Sequence, residues 1–191
     1  MKIYYQWFPW AYSYEASIKI ASKLKISRKD IIWVSNFKKV FDNIKDWEIA
    51  VLPIENSYAW SVHENFYHII SWDYEIVWEV FLDIEHYLLA NTKKIEDIKI
   101  VYSHPQALAQ CQNYIEKNKI LSFEYADTAW ASKFIKENWS KEIASISSKI
   151  CSSIYNLNIL DEKIQDQTWN TTRFFIITTK NYYKKNNIDF F

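Results

Sequence analysis

The stretch KIVYSHPQALAQCQNYIEKN, residues 99–118, indicates which class of fold the chain adopts. Its first residues, Lys99–Tyr102, are typical of a short strand. Pro105 then begins a run with apolar residues at helical spacing, and proline is favoured at the first position of a helix. A strand that is followed directly by a helix favours an α/β fold.

The same alternation of strand and helix patterns continues along the whole chain. The predicted strands are 2–6, 49–54, 74–90 with a break, 99–102, 121–125, 142–146 and 174–179. The predicted helices are 13–25, 37–44, 62–70, 105–118, 128–138 and 147–156. Such alternation predicts an α/β fold with mostly parallel sheets. Residues 180–191 are rich in Asn and Lys and are predicted to be a frayed tail.

The overall composition argues against several classes of protein. The chain has 191 residues, with 23 basic and 23 acidic side chains, so neither nucleic acid nor a membrane surface is expected as a partner. No apolar run approaches the roughly 20 residues of a membrane span, and the first residues are typical of a strand rather than a signal peptide. Cys111 and Cys151 are expected to be free thiols in a reducing compartment, so we expect a cytoplasmic protein.

The numbers of glycine and tryptophan residues are abnormal. The chain has no glycine and ten tryptophans, whereas ordinary usage predicts roughly 13 glycines. Trp47 follows Asp46 before a strand and Trp139 follows Asn138 at a helix end, and both are places where a positive φ and glycine are usual.

Two interpretations of this composition are open. One is a protein that is rich in tryptophan. The preferred hypothesis is a gene that uses UGA for glycine but is translated with UGA as tryptophan, which agrees with the richness in Ile, Lys, Asn, Tyr and Phe. The hypothesis predicts glycine at Trp7, Trp10, Trp33, Trp47, Trp60, Trp72, Trp78, Trp130, Trp139 and Trp169.

Four polar segments lie at the ends of predicted strands. They are residues 10–13, 55–57, 103–106 and 170–173. Ligands of α/β proteins bind at the carboxyl ends of strands, beside the N-termini of the following helices. Each segment alone is explained better by capping, because Ser57 can cap a turn and Ser103 can cap the helix that begins at Pro105.

Taken together, these segments resemble the prephenate dehydratase family over about residues 1–179. The matching segments are QWFPWAYS (6–13), LPIENS (52–57), VYSHPQALAQC (101–111), DTA (127–129) and NTTRF (170–174). The most specific are Thr-Arg-Phe at 172–174 and Ser-His-Pro-Gln at 103–106. The family has glycine at the positions of Trp7, Trp10 and Trp60, which supports the glycine hypothesis.

The resemblance implies a fold of two α/β lobes, similar to periplasmic binding proteins, with the active site in the cleft between them. Lobe one is expected to hold about residues 1–77 and 168–179, and lobe two about 78–167. The family often carries a phenylalanine-binding ACT domain after the catalytic part. No such domain is expected in this chain, so feedback control within the chain is expected to be absent. A homodimer is left open.

The resemblance also implies the activity, the conversion of prephenate to phenylpyruvate in phenylalanine biosynthesis. The catalytic residues that it implies are Thr172, Glu55, Asn56 and Gln110. The substrate-binding residues are Arg173, Ser103, Gln106, Ala11, Tyr12, Ser57, Thr171 and Phe174. No metal or cofactor is expected, because the sequence lacks a His/Cys/Asp cluster with metal spacing and a glycine-rich phosphate loop.

Individual roles follow from side-chain chemistry. Arg173 offers a bidentate fork for a carboxylate. Thr172 offers a hydroxyl, and the resemblance implies that this hydroxyl assists departure of the leaving group. Gln106 and Gln110 are four residues apart and share one helix face, although Gln110 has the weaker claim because such a glutamine is often solvated. His86 is interpreted as a hydrogen-bonded core or cleft-lining histidine rather than a base.

Two rival functions stay open. One is arogenate dehydratase, which carries out the same reaction on the amino analogue of prephenate. The other is a non-catalytic binding module, since the implied fold also serves in solute capture. The Thr172-Arg173-Phe174 triplet argues against the second, because a solute trap has no use for leaving-group chemistry.

Overall fold

Two five-stranded sheets and the helices that pack on them make up the part of the chain that the computed structural model describes, residues 1–6, 11–58, 63–71 and 73–186. The strands are β1 (Ile3–Gln6), β2 (Ile31–Val34), β3 (Ile49–Asn56), β4 (Tyr74–Asp83), β5 (Tyr87–Ala90), β6 (Ile100–Ser103), β7 (Leu121–Glu124), β8 (Ile143–Ser147), β9 (Asn158–Asp161) and β10 (Thr171–Thr179). The helices are α1 (Tyr12–Lys23), α2 (Phe37–Asn43), α3 (His63–Ser71), α4 (Pro105–Gln110), α5 (Gln112–Lys117), α6 (Thr128–Asn138), α7 (Lys149–Tyr155) and α8 (Lys180–Asn186).

The chain divides into two compact units. Unit 1 is Met1–Asp83 with Thr171–Phe191, and unit 2 is Ile84–Asn170. The chain first passes from unit 1 to unit 2 between residues 83 and 84, not near residue 77 as predicted. The reason is that β4 pairs with β10 along its whole length, from Thr171 opposite Asp83 to the far end, so the chain cannot leave unit 1 within β4. The second crossing is correspondingly at residues 170/171.

Each unit contains one mixed sheet. The strand order is β2-β1-β3-β10-β4 in unit 1 and β7-β6-β8-β5-β9 in unit 2. In unit 1, β1 runs parallel to β2 and β3, whereas β10 is antiparallel to β3 and β4. Unit 2 combines the two directions in the same way. The α/β class is confirmed, but the sheets are mixed rather than mostly parallel. Two parallel strands that follow each other in sequence are joined by a crossover connection. Strand β10 has no such connection to β3 or β4, because the chain reaches it from unit 2, and it pairs antiparallel with both.

Helices cover both faces of the sheet in unit 1. On one face, α2 packs Val40 and Phe41 against Leu52 and Phe175. On the other face, α1 buries Tyr14, whose ring centroid lies 5.7 Å from that of Tyr5. Successive side chains of a strand point to opposite faces. Because Phe175 packs under α2, Arg173 lies on the same face of β10, whereas Thr172 and Phe174 lie on the face of α1.

The core of unit 2 contains the apolar stripe that the sequence predicts. Its buried members include Ala107, Leu108, Cys111 and Ile115. Both cysteines are free, as predicted, and both are buried; burial raises the pKa of the Cys111 thiol. The predicted helix 105–118 is broken at Cys111, whose φ of −119° and ψ of 21° end α4 before α5 begins.

The expected frayed tail is wrong for its first seven residues, which form α8. Tyr182 on this helix is buried, and its ring centroid lies 4.7 Å from that of Trp47. An aromatic contact of this kind offsets the entropy that a terminus loses on ordering. Residues 187–191 lie outside the described residues.

Backbone angles support the interpretation of two tryptophan positions. Trp47 has φ 76° and Trp139 has φ 53°, both in the left-handed region that favours glycine. Trp139 occupies the left-handed end of α6, where glycine is the usual residue. The predicted positive φ at these two turns is confirmed, and glycine in the native protein stays a prediction. Trp7, Trp10, Trp60 and Trp72 lie outside the described residues.

Among the described residues, no helix has both the length and the apolar character that a bilayer crossing requires.

Candidate functional site

Two of the predicted catalytic residues meet where β3 ends and β10 begins. Because these strands are antiparallel, the carboxyl end of one lies beside the amino end of the other, and Thr172 stands opposite Asn56. The Asn56 Nδ2 group donates a hydrogen bond of 2.9 Å to Thr172 Oγ1. The Asn56 Oδ1 atom accepts from the Tyr58 backbone N–H at 3.0 Å. That second bond fixes the amide so that its nitrogen, not its oxygen, faces the threonine.

Ser57 and Thr171 close the end of the same strand pair. The Ser57 N–H donates to the Thr171 carbonyl at 2.9 Å, and the Thr171 N–H donates to Ser57 Oγ at 2.9 Å. The Thr171 hydroxyl donates to Asp83 Oδ1 at 2.8 Å. Both predicted substrate-binding residues therefore have structural partners. Their bonds to each other join the two strands directly beside the Asn56–Thr172 pair.

Arg173 lies on the opposite face of the sheet from Thr172. Its guanidinium carbon is 4.9 Å from the ring centroid of Phe175, which belongs to the core under α2. Its Nε donates to Glu79 Oε2 at 2.8 Å and a second guanidinium nitrogen donates to the same oxygen, while Nη1 is 4.0 Å from Glu55 Oε2. The structure thus brings Arg173 together with Glu55 and not with Thr172. Glu79 occupies the Nε and Nη2 edge of the guanidinium, so a substrate carboxylate that binds this edge has to displace Glu79. The clamp role stays a prediction.

The remaining unit 1 residues of the predicted set belong to α1 and β10. Ala11 is the N-cap of α1 and makes no side-chain cap, but its carbonyl accepts from the Tyr14 N–H at 2.8 Å. Tyr12 is the first helical residue. Helix α1 covers the sheet face that carries Thr172, so Ala11 and Tyr12 share face and edge with the Asn56–Thr172 pair. Phe174 is buried in the core, and its contact with a substrate stays a prediction.

Two predicted unit 2 residues have different surroundings. Ser103 is fully buried, and its hydroxyl donates to the Ile146 carbonyl at 2.6 Å. Gln106 is exposed, and its backbone N–H donates to His104 Nδ1 at 3.2 Å. The latter bond caps α4, so the His104 side chain fixes the turn before Pro105. Direct substrate contacts of Ser103 and Gln106 stay predictions.

Gln110 is buried, not solvated, and so does not share the surroundings of Gln106. Its Oε1 lies 2.7 Å from His86 Nε2 and accepts from Asn170 Nδ2 at 2.9 Å. His86 is 2% exposed, and burial lowers its pKa although the bond to Gln110 opposes that shift. The interpretation of His86 as a hydrogen-bonded buried histidine is confirmed.

Sequence reasoning did not assign a site role to Glu79, Asp83 or Asn170. Asn170 lies inside the NTTRF segment, so the motif itself was a usable signal. Glu79 and Asp83 come near Arg173 and Thr171 only through the register of β4 against β10. No local pattern predicts that register.

The described residues contain no group of three or more His, Cys, Asp or Glu side chains arranged to hold a metal ion. What unit 1 offers chemically is a half-buried hydroxyl, held by an amide, at the edge of the sheet. A hydroxyl whose oxygen accepts a hydrogen bond is a better donor of its own proton, because the two bonds polarise each other. The pair can therefore donate to an oxygen that gains negative charge.

Comparisons with known proteins agree with the motifs. The family model for prephenate dehydratase matches residues 3–182. An arogenate dehydratase from Petunia hybrida is 38% identical over 93% of this chain and 44% of its own length. A prephenate dehydratase from Methanocaldococcus jannaschii is 39% identical over 82% of this chain and 58% of its own length. The chain thus spans about half the length of these curated relatives.

Solved structures agree with the fold. The prephenate dehydratase from Staphylococcus aureus has a TM-score of 0.79 and 27% identity, over 93% of this chain and 66% of that one. A periplasmic substrate-binding protein from Coxiella burnetii, 12% identical over 100% of this chain and 88% of its own, has a TM-score of 0.50 and shares the fold alone. With a family model that covers nearly all of its residues, the chain belongs to the prephenate dehydratase family.

Proposed function

We propose that this chain catalyses the decarboxylating dehydration of prephenate to phenylpyruvate, a step towards phenylalanine. The observation that carries the proposal is the hydrogen bond from Asn56 to Thr172 in a chain of this family. It holds a hydroxyl at the edge of the sheet where α/β proteins bind ligands.

The reaction needs little from the protein beyond binding and a hydrogen-bond donor. The bond between the ring and its carboxylate breaks, and its electron pair enters the ring. The C–O bond at the para carbon breaks with its electron pair on oxygen, and the departing hydroxide takes up a proton from solvent and leaves as water. The products are phenylpyruvate, CO2 and water. Because the ring becomes aromatic, the main tasks are to hold the dianion and to stabilise the departing oxygen.

Thr172 is the residue that we assign to the departing hydroxyl. Its Oγ1 accepts from Asn56, so its proton is directed to another acceptor, and we place the para hydroxyl there. A neutral threonine is a poor acid, so the contribution is orientation and hydrogen bonding rather than full proton transfer. Asn56 acts as the residue that fixes the hydroxyl.

The carboxylates require cationic or N–H donors. In this proposal Arg173 binds one carboxylate after Glu79 has moved away. The Glu55 carboxylate, 4.0 Å from Arg173 Nη1, then partly offsets the positive charge of the guanidinium. The amide of Gln110 donates to a second oxygen of the substrate. The remaining predicted substrate ligands are Ala11, Tyr12, Ser57, Ser103, Gln106, Thr171 and Phe174.

The test is incubation of the purified chain with prephenate at neutral pH and in the presence of a chelator. Phenylpyruvate should form faster than in the protein-free control, and Thr172→Val should remove most of the difference. If the chain binds prephenate but forms no phenylpyruvate, it is a binding module and the proposal is refuted.

The second candidate is the same reaction on arogenate, which is favoured by the name of the petunia relative. Both substrates differ only in the side-chain keto or amino group. The two kcat/KM values, measured side by side, assign the substrate, and a ratio above ten for arogenate would replace the first candidate by the second.

A cytoplasmic location and a homodimer complete the proposal. The location is supported by the two free buried cysteines, which are usual in a reducing compartment. The dimer is checked by the molar mass in solution.

A further inference from the structure

Three buried polar side chains in unit 2 form one hydrogen-bonded group. His86, Gln110 and Asn170 are 2%, 3% and 3% exposed. The Gln110 Oε1 atom is the common partner, at 2.7 Å from His86 Nε2 and 2.9 Å from Asn170 Nδ2. Buried polar groups are costly when they are unpaired, so the three side chains fix one another's orientation.

The donor and acceptor roles in this group follow from elementary chemistry. An amide oxygen only accepts, and Asn170 Nδ2 only donates. His86 must therefore donate from Nε2, which makes it the Nε2–H tautomer. With the Asn170 amide in the orientation that the structure shows, turning the Gln110 amide by 180° would place its NH2 group against the Asn170 donor, so the observed Gln110 orientation is the one compatible with the group. Burial lowers the pKa of His86 and so favours the neutral ring.

Backbone bonds hold the histidine and the glutamine in place. The His86 N–H donates to Gln165 Oε1 at 3.0 Å, and the His86 carbonyl accepts from the Ile164 N–H at 3.0 Å. The Gln110 carbonyl accepts from the Asp166 N–H at 2.7 Å. Residues 164–166 thus anchor the backbone of both His86 and Gln110.

The amide nitrogen of Gln110 has no acceptor among the residues that the structure describes. Both donors are bound to Oε1, so Nε2 is the hydrogen-bonding group of this side chain that is left for a ligand. We propose that His86 and Asn170 are positioning residues that lock the Gln110 amide with its N–H groups directed at an oxygen of the anionic substrate. The proposal rests on the proposed function, because it requires that Gln110 contact the substrate.

The matched pair of variants is His86→Leu and His86→Gln. Leucine removes the donor, whereas the amide nitrogen of the introduced glutamine falls close to the place of the histidine Nε2 and can still donate. His86→Leu is expected to lower kcat/KM for prephenate about 10- to 100-fold, the usual range for a hydrogen bond to a charged partner. His86→Gln is expected to stay within about threefold of the parent chain.

A second variant, Asn170→Asp, changes the hydrogen bonding of the group but not the volume of the side chain. Asn170→Asp replaces a donor by an acceptor of the same shape, which favours the reversed Gln110 amide and should lower kcat/KM as His86→Leu does. This variant decides the question if His86→Leu does not fold. The readout that separates positioning from a structural role is a double-mutant cycle with Gln110→Leu. Once the glutamine is removed, the histidine change should have almost no further effect on kcat/KM.

The outcomes are distinct. If His86→Leu and Asn170→Asp lower only the melting temperature, or if their effects on kcat/KM multiply with that of Gln110→Leu, the positioning role is refuted. If the parent chain itself forms no phenylpyruvate, the proposed function has failed instead. Loss of kcat/KM in both variants, recovery in His86→Gln and a non-additive cycle support the proposal.

Discussion

Thr172→Val is the substitution that most sharply separates catalysis from stability. Valine has almost the same shape as threonine and suits a strand, but it has no hydroxyl. In the structure, the change deletes the acceptor of the 2.9 Å bond from Asn56 Nδ2 and, under the proposed mechanism, the donor to the leaving oxygen. The two losses have different sizes, and the difference can be measured.

The structural loss is small. A neutral hydrogen bond of ordinary length contributes about 1 kcal/mol, and Thr172 is only half-buried, so water can reach the amide that is left. The usual stability of a domain is about 5–15 kcal/mol, so the variant stays folded. Removing one hydrogen-bond donor to an oxygen that gains charge in the transition state typically lowers kcat 10²–10³-fold, which corresponds to about 2.7–4 kcal/mol of barrier. The fall in kcat should therefore far exceed any effect of unfolding.

The assay is steady-state kinetics with prephenate together with thermal unfolding of each variant. Thr179→Val is the matched control, because Thr179 lies at the other end of β10 and its hydroxyl also bonds a side chain, Asp46 Oδ1, at 2.7 Å. The Thr179 hydroxyl also accepts from the Tyr182 N–H, so this variant should lose at least as much stability as Thr172→Val and yet keep its kcat. Thr172→Ser, which keeps a hydroxyl, should retain most of the activity. An unchanged kcat in Thr172→Val would withdraw the residue from the chemistry.

Three further predictions concern charge, pH and the backbone. Arg173→Lys should raise KM with little change in kcat, and Glu79→Gln should lower KM, because Glu79 competes with a substrate carboxylate for the guanidinium; an unchanged KM in both variants contradicts the clamp role. Burial lowers the folded-state pKa of His86, so the unfolded chain binds more protons as the pH falls below about 6.5. The free energy of unfolding should then decrease as the pH is lowered, by up to about 1.4 kcal/mol per pH unit, until the folded-state pKa is reached. Chemical denaturation of His86→Gln should show a smaller dependence of this free energy on pH. Trp139→Gly should raise the free energy of unfolding, because the left-handed backbone costs roughly 1–2 kcal/mol and the exposed contact of the indole with Lys136 is worth about 0.5–1 kcal/mol; a lower melting temperature would contradict this. The intact mass of protein from its natural source checks the glycine hypothesis itself, and a mass that matches ten tryptophans refutes it.

Elements with strong local signals were predictable from the sequence. Helix α6 runs over the predicted residues 128–138, and Asp127 caps it through bonds of 2.8 and 3.1 Å to the N–H groups of Ala129 and Trp130. An aspartate before an apolar helical pattern is a sufficient signal for such a cap. The order of the other main helices and strands was predictable for the same reason.

Features that depend on the packing of distant segments were not predictable. Strand β2 (Ile31–Val34) is short and half-exposed, and it exists because it pairs with β1. The pair formed by Arg173 and Glu79 depends on strand register, and the burial of Gln110 depends on residues some 24 and 60 positions away. Local patterns carry no information on such distances.

The site was predictable mainly as a set of segments. The motifs indicated the strand ends that carry Asn56 and Thr172, because polar residues directly after or directly before an apolar strand are a local pattern. The side on which each residue lies was not indicated. Thr172 and Arg173 are neighbours in sequence, yet alternation along β10 turns them to opposite faces of the sheet.

The most direct test of the central claim uses prephenate labelled with 13C in its ring carboxylate and follows the label by NMR. The parent chain should release labelled CO2 and phenylpyruvate in equal amounts and at equal rates, with no added metal, while Thr172→Val stays near the rate of the protein-free solution. Two results would contradict the account. One is that the parent chain consumes labelled prephenate no faster than the protein-free solution does, and the other is that Thr172→Val releases CO2 at the same rate as the parent chain.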